Sequence, residues 1–177
     1  MRSRSASLAA SALFLIVAPG TIAGYLPWLI TRWRFRDEFG DSVLIPGAGI
    51  LLASAGGLLL IECFVRFAWL GLGTPAPIAP TRRLIVTGFY RHVRNPMYVA
   101  VTALVAGQAL LFGSMPLLGY AAAVWAAFHL FVLLYEEPTL RRQFPGDYDA
   151  FAAAVPRWLP RLRPWTGLKQ HSGTASG

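Results

Sequence analysis

One stretch sets the organisation of this chain: Gly88-Phe89-Tyr90-Arg91-His92-Val93-Arg94-Asn95-Pro96-Met97-Tyr98, in which a basic and aromatic cluster stops at Asn-Pro and an apolar run begins. Asn is a favoured helix N-cap and Pro a favoured first helical residue, so a helix is predicted to start there. Its free amide groups and positive dipole end would face Arg91, His92 and Arg94. Such a group of donors suits an anionic part of a ligand.

The composition indicates a membrane protein, because 55% of the 177 residues are hydrophobic and only 14% are charged. A hydrocarbon core of roughly 30 Å takes about 20 helical residues to cross. Apolar runs predict four spans at 8–30, 43–60 (helical to about 72), 97–112 and 116–135, of which the third is short. We therefore predict one all-α integral membrane bundle over residues 1–165. It would include a cytoplasmic interfacial helical segment at 136–165 and be followed by a disordered tail at 166–177.

The basic residues predict the orientation, since Lys and Arg concentrate in cytoplasmic loops. Most of them precede the first span, separate the second from the third, or follow the fourth: Arg2, Arg4, Arg82, Arg83, Arg91, Arg94, Arg141, Arg142, Arg157, Arg161, Arg163 and Lys169. Both termini are thus expected in the cytoplasm, as in a bacterial inner-membrane protein. Because these residues flank spans, the net charge of +8 favours anionic lipid headgroups over nucleic acid as the partner.

The first apolar run has two interpretations. It could be a cleavable signal peptide that ends at the small residues 21–24, but it continues to Ile30, beyond the usual 7–15 residues. A first span is therefore favoured. Within it, Gly20 and Gly24 have the spacing that lets two membrane helices approach closely.

Glu136 and Glu137 follow the fourth apolar run at the same predicted membrane level as Asn95. If they end the span, they meet the negative end of its dipole and need compensation, which ammonium, sulfonium or ribose hydroxyl groups of a ligand could supply. Alternatively, Pro138 starts a new helix and Glu137 pairs with Arg141 at i+4. The residues alone leave both open.

The basic segment and the acidic pair together predict a site with two opposite poles, which suits a zwitterionic or amphiphilic cofactor. No metal site is expected, because the three histidines lack a ligand spacing. No Ser-His-Asp order or phosphate-binding Gly loop is present in the sequence. Glu62 and Arg66 form an i,i+4 pair near the end of the second span, for which functional and structural roles both remain open.

Two blocks of the chain, within 71–161, share their order and spacing with a known family. The first block comprises 73–77, 87–90 and 94–98, and the second comprises Glu136-Glu137, Leu140, Phe144, Tyr148 and 155–161. In these blocks the chain resembles the integral membrane methyltransferases that include isoprenylcysteine carboxyl methyltransferase and the phospholipid N-methyltransferases. The resemblance implies S-adenosylmethionine as the cofactor, bound at the cytoplasmic ends of the last two spans.

Carried over by position, the resemblance implies two walls of a cofactor site. One wall comprises Tyr90, Arg94, Asn95, Pro96 and Tyr98, and the other comprises Glu136 and Glu137. His92, from the basic segment, is a further cofactor-binding candidate.

The implied reaction is methyl transfer to a lipid-borne or small hydrophobic acceptor that carries a carboxylate, amine or thiol. Because the cofactor's sulfonium already activates the methyl group, the protein mainly has to align the acceptor for in-line displacement. Arg94 or Arg91 would orient a carboxylate, and Glu136 or Glu137 would take the proton of an amine. We predict Arg94 and Glu136 as the catalytic residues.

Two alternatives remain from the sequence. Sterol-type membrane reductases carry a related basic block around NADPH, but they are usually longer and cross the membrane more often, and the Glu136-Glu137 pair favours methyl transfer. A non-catalytic membrane lipid-binding protein could also keep such a pocket. The acceptor, the oligomeric state and the identity of any base stay open.

Overall fold

The computed structural model describes residues 17–36, 38–40, 42–69 and 84–167, and this part of the chain contains helices and no strand. Helix α1 covers 17–31 and includes a π-helical stretch, Thr21–Tyr25. The others are α2 (Leu44–Trp69), α3 (Pro96–Leu111), α4 (Met115–Phe131), α5 (Glu137–Gln143) and α6 (Asp147–Ala154). A 3-10 turn, Gly88–Arg91, precedes α3, and a second π-helical stretch, Val132–Glu136, joins α4 to α5.

Two helical stretches are long and apolar enough to cross a membrane: Leu44–Arg66, with 23 residues, and Met115–Gln143, with 29. Their outer faces carry large apolar side chains, for Leu51, Leu58 and Leu134 are 74%, 69% and 75% exposed. Surfaces of this kind are expected of helices that face lipid rather than water.

The other two predicted spans are shorter. The 16 residues of α3 rise by about 24 Å, less than the roughly 30 Å of a hydrocarbon core. Helix α1 ends at Thr31, and residues 8–16 of the predicted first span lie outside the described residues. So do residues 70–72 of the second helix and 168–177 of the predicted tail. Four spans therefore stay a prediction.

Helices α2 and α3 pack closely through glycine. A Cβ on Gly49 would lie 2.5 Å from the backbone nitrogen of Leu111, and one on Gly56 would lie 2.7 Å from the carbonyl oxygen of Ala100. Small residues let helix backbones approach in this way. At Gly24, by contrast, a Cβ would meet no atom within 4 Å among the residues that the structure describes, so none of these makes the close approach predicted there.

The π-helical stretch of α1 is explained by Pro27, which has no N–H and whose ring would clash with the carbonyl of Ala23 in a regular helix. The carbonyl groups that lose their helical donor are satisfied from neighbouring helices. Gln108 Nε2 of α3 donates to Ala23 O at 2.7 Å, and the Tyr120 hydroxyl of α4 donates to Ile22 O at 3.0 Å. Pro27 thus fixes where α1 contacts the bundle.

The second π-helical stretch has the same relation to Pro138. Glu137 N donates to Val132 O, a bond across five residues, and the helix runs on without a break from Met115 to Gln143. The helix that carries the fourth apolar run therefore does not end at Glu136 and Glu137, and Pro138 lies inside it instead of starting a separate helix. The widened turn accommodates the proline inside one helix.

Helices α5 and α6 form a second small core. Pro145 and Gly146 lie between them, and Gly146 adopts φ +81° there. The apolar side chains of the predicted interfacial segment are covered by the protein itself. Tyr148, Phe151 and Val155 are buried and pack against Leu84, Val86, Leu140, Phe144 and Trp165.

Candidate functional site

The site lies where α3 begins. Pro96 is the first residue of α3, as predicted, and Asn95 precedes it. The Asn95 side chain does not cap the helix, however: its Nδ2 donates to Arg157 O at 3.2 Å. Asn95 instead ties the start of α3 to a later part of the chain.

Tyr98 joins the two predicted poles. Its hydroxyl donates to Glu136 Oε2 at 2.8 Å, across 38 positions of sequence. Tyr98 lies in the first turn of α3, and Glu136 is the last residue of the π-helical stretch. The segments around Pro96 and Pro138 are therefore neighbours, as the sequence predicted.

Glu137 is held between two guanidinium groups. Its Oε1 lies 3.2 Å from Arg94 Nη1, and its two oxygens accept from Arg157 Nε at 2.5 Å and Nη2 at 3.0 Å. The Arg94 and Glu137 side chains are only 11% and 9% exposed. The predicted i,i+4 partner Arg141 instead pairs with Asp149 at 3.1 Å. The carboxylate of Glu137 is thus neutralised by the protein.

Two tyrosine hydroxyls complete the polar walls. Arg94 Nη1 donates to the Tyr148 hydroxyl at 3.3 Å, and burial raises the pKa of Tyr148. Burial also raises the pKa of Tyr90 well above its ordinary value, and the nearby Cys63, Glu136, Tyr98 and Glu62 add to this shift. Both phenols therefore remain neutral at physiological pH and can act as hydrogen-bond donors.

The closing segment, residues 156–165, covers the basic segment 88–98. Arg94 N donates to Pro156 O, Arg161 N to His92 O and Trp165 N to Arg91 O, each at 2.9 Å. The side chains add to these contacts: His92 Nδ1 lies 2.8 Å from Arg161 O, and Arg91 Nε donates to Trp165 O at 2.7 Å. His92 and Arg91 therefore anchor the closing segment, and no described contact joins either to the glutamates.

The closing segment is also fixed to α4. Trp158 Nε1 donates to His129 Nδ1 at 3.0 Å, and the His129 ring stacks on Trp125. This contact satisfies Nδ1 of His129, so the imidazole ring joins the closing segment to α4. Arg157 was not among the residues that the sequence predicted for the site. Its contact with Glu137 depends on the path of the closing segment.

Three chemical groups of this site could contact a ligand. Arg94 Nε is buried without a partner among the described residues, so one guanidinium N–H can still receive an anion. Glu136 carries a carboxylate with a single described donor, Tyr98. Tyr90 supplies a neutral phenol near Glu136 and Tyr98. An anion-binding group and a cation- or hydroxyl-binding group therefore lie within one small space.

Comparison with known proteins gives one curated relative, the nickel-cobalt-cadmium resistance protein NccN of Alcaligenes xylosoxydans xylosoxydans. It is 32% identical over 79 residues, which is 45% of this chain. The match spans 37% of that protein's length.

A family model gives broader coverage. The phospholipid methyltransferase model matches residues 43–147, more than half of the 177 residues. The match includes both predicted poles, from α2 through Glu136 and Glu137. The family's description, phospholipid methyltransferase, agrees with the two long apolar helices, which suit a protein associated with membranes. This chain belongs to the phospholipid methyltransferase family.

Proposed function

We propose that this protein transfers a methyl group from S-adenosylmethionine to a lipid-borne or small hydrophobic acceptor at the membrane face. The observation that carries the proposal is the contact of Tyr98 with Glu136 and of Arg94 with Glu137, at 2.8 and 3.2 Å. These contacts join the two segments whose residues match the cofactor's two charged ends. When bound, the cofactor supplies a methyl group already activated by a sulfonium.

The residues present fit this cofactor. The unpartnered Nε of Arg94 would receive its carboxylate, and Glu136 would accept from its ammonium or ribose hydroxyl groups. Tyr90, Asn95, Pro96 and Tyr98 would form the wall between them. Glu137 and His92 would act by holding Arg94 and the closing segment in place.

The protein's part in the chemistry would be alignment and proton removal. For a carboxylate acceptor, Arg94 would orient the oxygen for in-line displacement. For an amine acceptor, a proton would pass first to Glu136. The nitrogen lone pair freed by Glu136 would then be available to the activated methyl group that the cofactor supplies.

We place the site at the cytoplasmic face of a bacterial inner membrane, with both termini on that side. The support is the concentration of Arg and Lys at the end of the bundle that carries Pro96 and Glu136. Acceptors would then enter sideways from the inner leaflet.

Cofactor binding tests the proposal. Purified protein is titrated with labelled S-adenosylmethionine and, separately, with NADPH; the proposal expects saturable binding of the first only. Glu136→Gln should weaken that binding, because it removes the carboxylate charge. Arg94→Lys should weaken it too, because a point charge does not reproduce a guanidinium fork. Glu38→Gln, an exposed carboxylate at the opposite end of the bundle, should not.

The other outcomes contradict the proposal. Binding of NADPH alone would indicate a reductase, and binding of neither would indicate a lipid-binding protein. If S-adenosylmethionine binds, mass spectrometry of a membrane extract incubated with the labelled cofactor would identify the methylated product and hence the acceptor class.

A further inference from the structure

The closing segment leaves two short loops on the surface of the protein. Its backbone is hydrogen-bonded to the basic segment 88–98 through Pro156, Arg161 and Trp165. Residues 157–160 lie between the first and second of these points, and residues 162–164 lie between the second and third. Each loop carries a leucine that the described protein leaves uncovered, for Leu159 is 78% exposed and Leu162 is 97% exposed.

Trp158 places the first loop against the apolar part of α4. Its Nε1 donates to His129 Nδ1 at 3.0 Å, and its ring centroid lies 6.2 Å from that of Trp125. His129 precedes Glu137 by eight positions, which corresponds to about 12 Å along a helix. Because the neighbouring Arg157 reaches Glu137, the chain at 157–158 lies between these two levels of the helix.

These levels belong to a helix that is suited to lipid. His129 lies within the stretch Met115–Gln143, which is long and apolar enough to cross a membrane. Close to it in sequence, Trp125, Leu130 and Leu134 are exposed, as expected of side chains that face lipid. Leu159 follows Trp158 directly and continues this apolar surface.

The charged side chains of the closing segment are all positive. The segment contains Arg157, Arg161 and Arg163 and no acidic residue. Arg157 pairs with Glu137, and Arg161 Nη1 donates to a backbone carbonyl of α6. Arg163 follows Leu162, is exposed, and pairs with no residue that the structure describes. Its guanidinium is therefore available to an anion outside the protein.

We propose that the two loops are a docking surface for anionic phospholipid headgroups in the leaflet on the side of the candidate site. Leu159 and Leu162 enter the edge of the hydrocarbon layer, and Arg163 binds a phosphate group. A soluble partner would need these loops in water, whereas Trp158 fixes the first loop beside lipid-facing side chains of α4. The apolar side chains of α5 and α6 are used inside the protein, so the loops take over the contact with the membrane interface. The inference is independent of the proposed reaction.

The depth of the loops can be measured with a fluorescent label. Full-length protein, with the buried Cys63 replaced by alanine, carries bimane on Leu159→Cys or Leu162→Cys in nanodiscs of phosphatidylcholine and phosphatidylglycerol. We expect doxyl-labelled lipid to quench both labels more strongly than aqueous iodide does. Ala150→Cys is the matched control and should show the reverse, because it lies on α6 next to the exposed ion pair of Asp149.

The charge of the headgroup is tested with the label on Leu159→Cys. Adding phosphatidylglycerol to phosphatidylcholine discs should raise the ratio of lipid quenching to iodide quenching roughly fivefold, the effect of one arginine near an anionic surface. Arg163→Gln should remove this rise. Arg142→Gln, which changes an exposed arginine of α5, should keep it.

The other outcomes overturn the inference. Stronger quenching by iodide at both leucine positions would place the loops in water. Protection from both quenchers would mean that protein, from this chain or a second copy, covers them. An unchanged ratio on addition of phosphatidylglycerol, or a rise that survives Arg163→Gln, would exclude the anionic headgroup as the partner.

Discussion

Glu136 and Glu137 are adjacent in sequence but should respond differently to the same substitution. In Glu137→Gln, Arg94 and Arg157 lose the carboxylate that neutralises both. Breaking a buried ion pair on one side costs about 3–5 kcal/mol. Because the Arg157 side chain is 28% exposed and can be partly hydrated, we expect the lower end of that range. In Glu136→Gln, the amide oxygen still accepts from Tyr98, so the loss should be at most about 1 kcal/mol.

The two variants can be compared by reversible unfolding of the detergent-solubilised protein with increasing SDS, followed by circular dichroism. Glu137→Gln should unfold at clearly lower denaturant than the wild type, and Glu136→Gln close to it. Binding of S-adenosylmethionine should be impaired in Glu136→Gln although that variant is nearly as stable as the wild type. Equal stability of the two variants would refute the argument that Glu137 is neutralised structurally and Glu136 is left for a ligand.

Two further predictions concern packing. Gly56→Ala should destabilise the protein by about 1–3 kcal/mol, because the added methyl group meets the α3 backbone. Gly57→Ala, where a Cβ meets nothing within 4 Å, should be neutral or stabilising in the same unfolding assay; equal effects would contradict the glycine-mediated packing. Trp158→Phe removes the donor to His129 and should cost about 1 kcal/mol. It should also speed limited proteolysis of the closing segment, and unchanged cleavage would show that this contact does not hold it.

The elements that depend on local signals could be predicted from the sequence. Asn95-Pro96 marks the start of α3, and Pro145-Gly146 separates α5 from α6. Helix contacts were harder to predict, because many glycine pairs have a suitable spacing. Which pair meets a neighbour depends on how each helix is rotated in the bundle, so Gly24 is open while Gly56 is enclosed.

The sequence predicted which two segments form the site, but not which side chains contact one another within it. The acidic pair and the basic segment meet as expected, since both follow from the order of the spans. Arg157 could not be placed in this way, because it reaches Glu137 only through the path of the closing segment.

The π-helical stretch before Pro138 determines which way the two glutamates face. A regular α-helix advances about 100° per residue, so the extra residue in the widened turn rotates everything after it by about that angle. Glu136 lies at the end of this turn and reaches Tyr98, while Glu137 points to Arg94 and Arg157. Without the proline, a straight helix would carry the same two residues but would present them to different neighbours. The π-helical turn is therefore the reason why the Glu137 carboxylate is neutralised while the Glu136 carboxylate stays available. In the sequence, only Pro138 marks this turn.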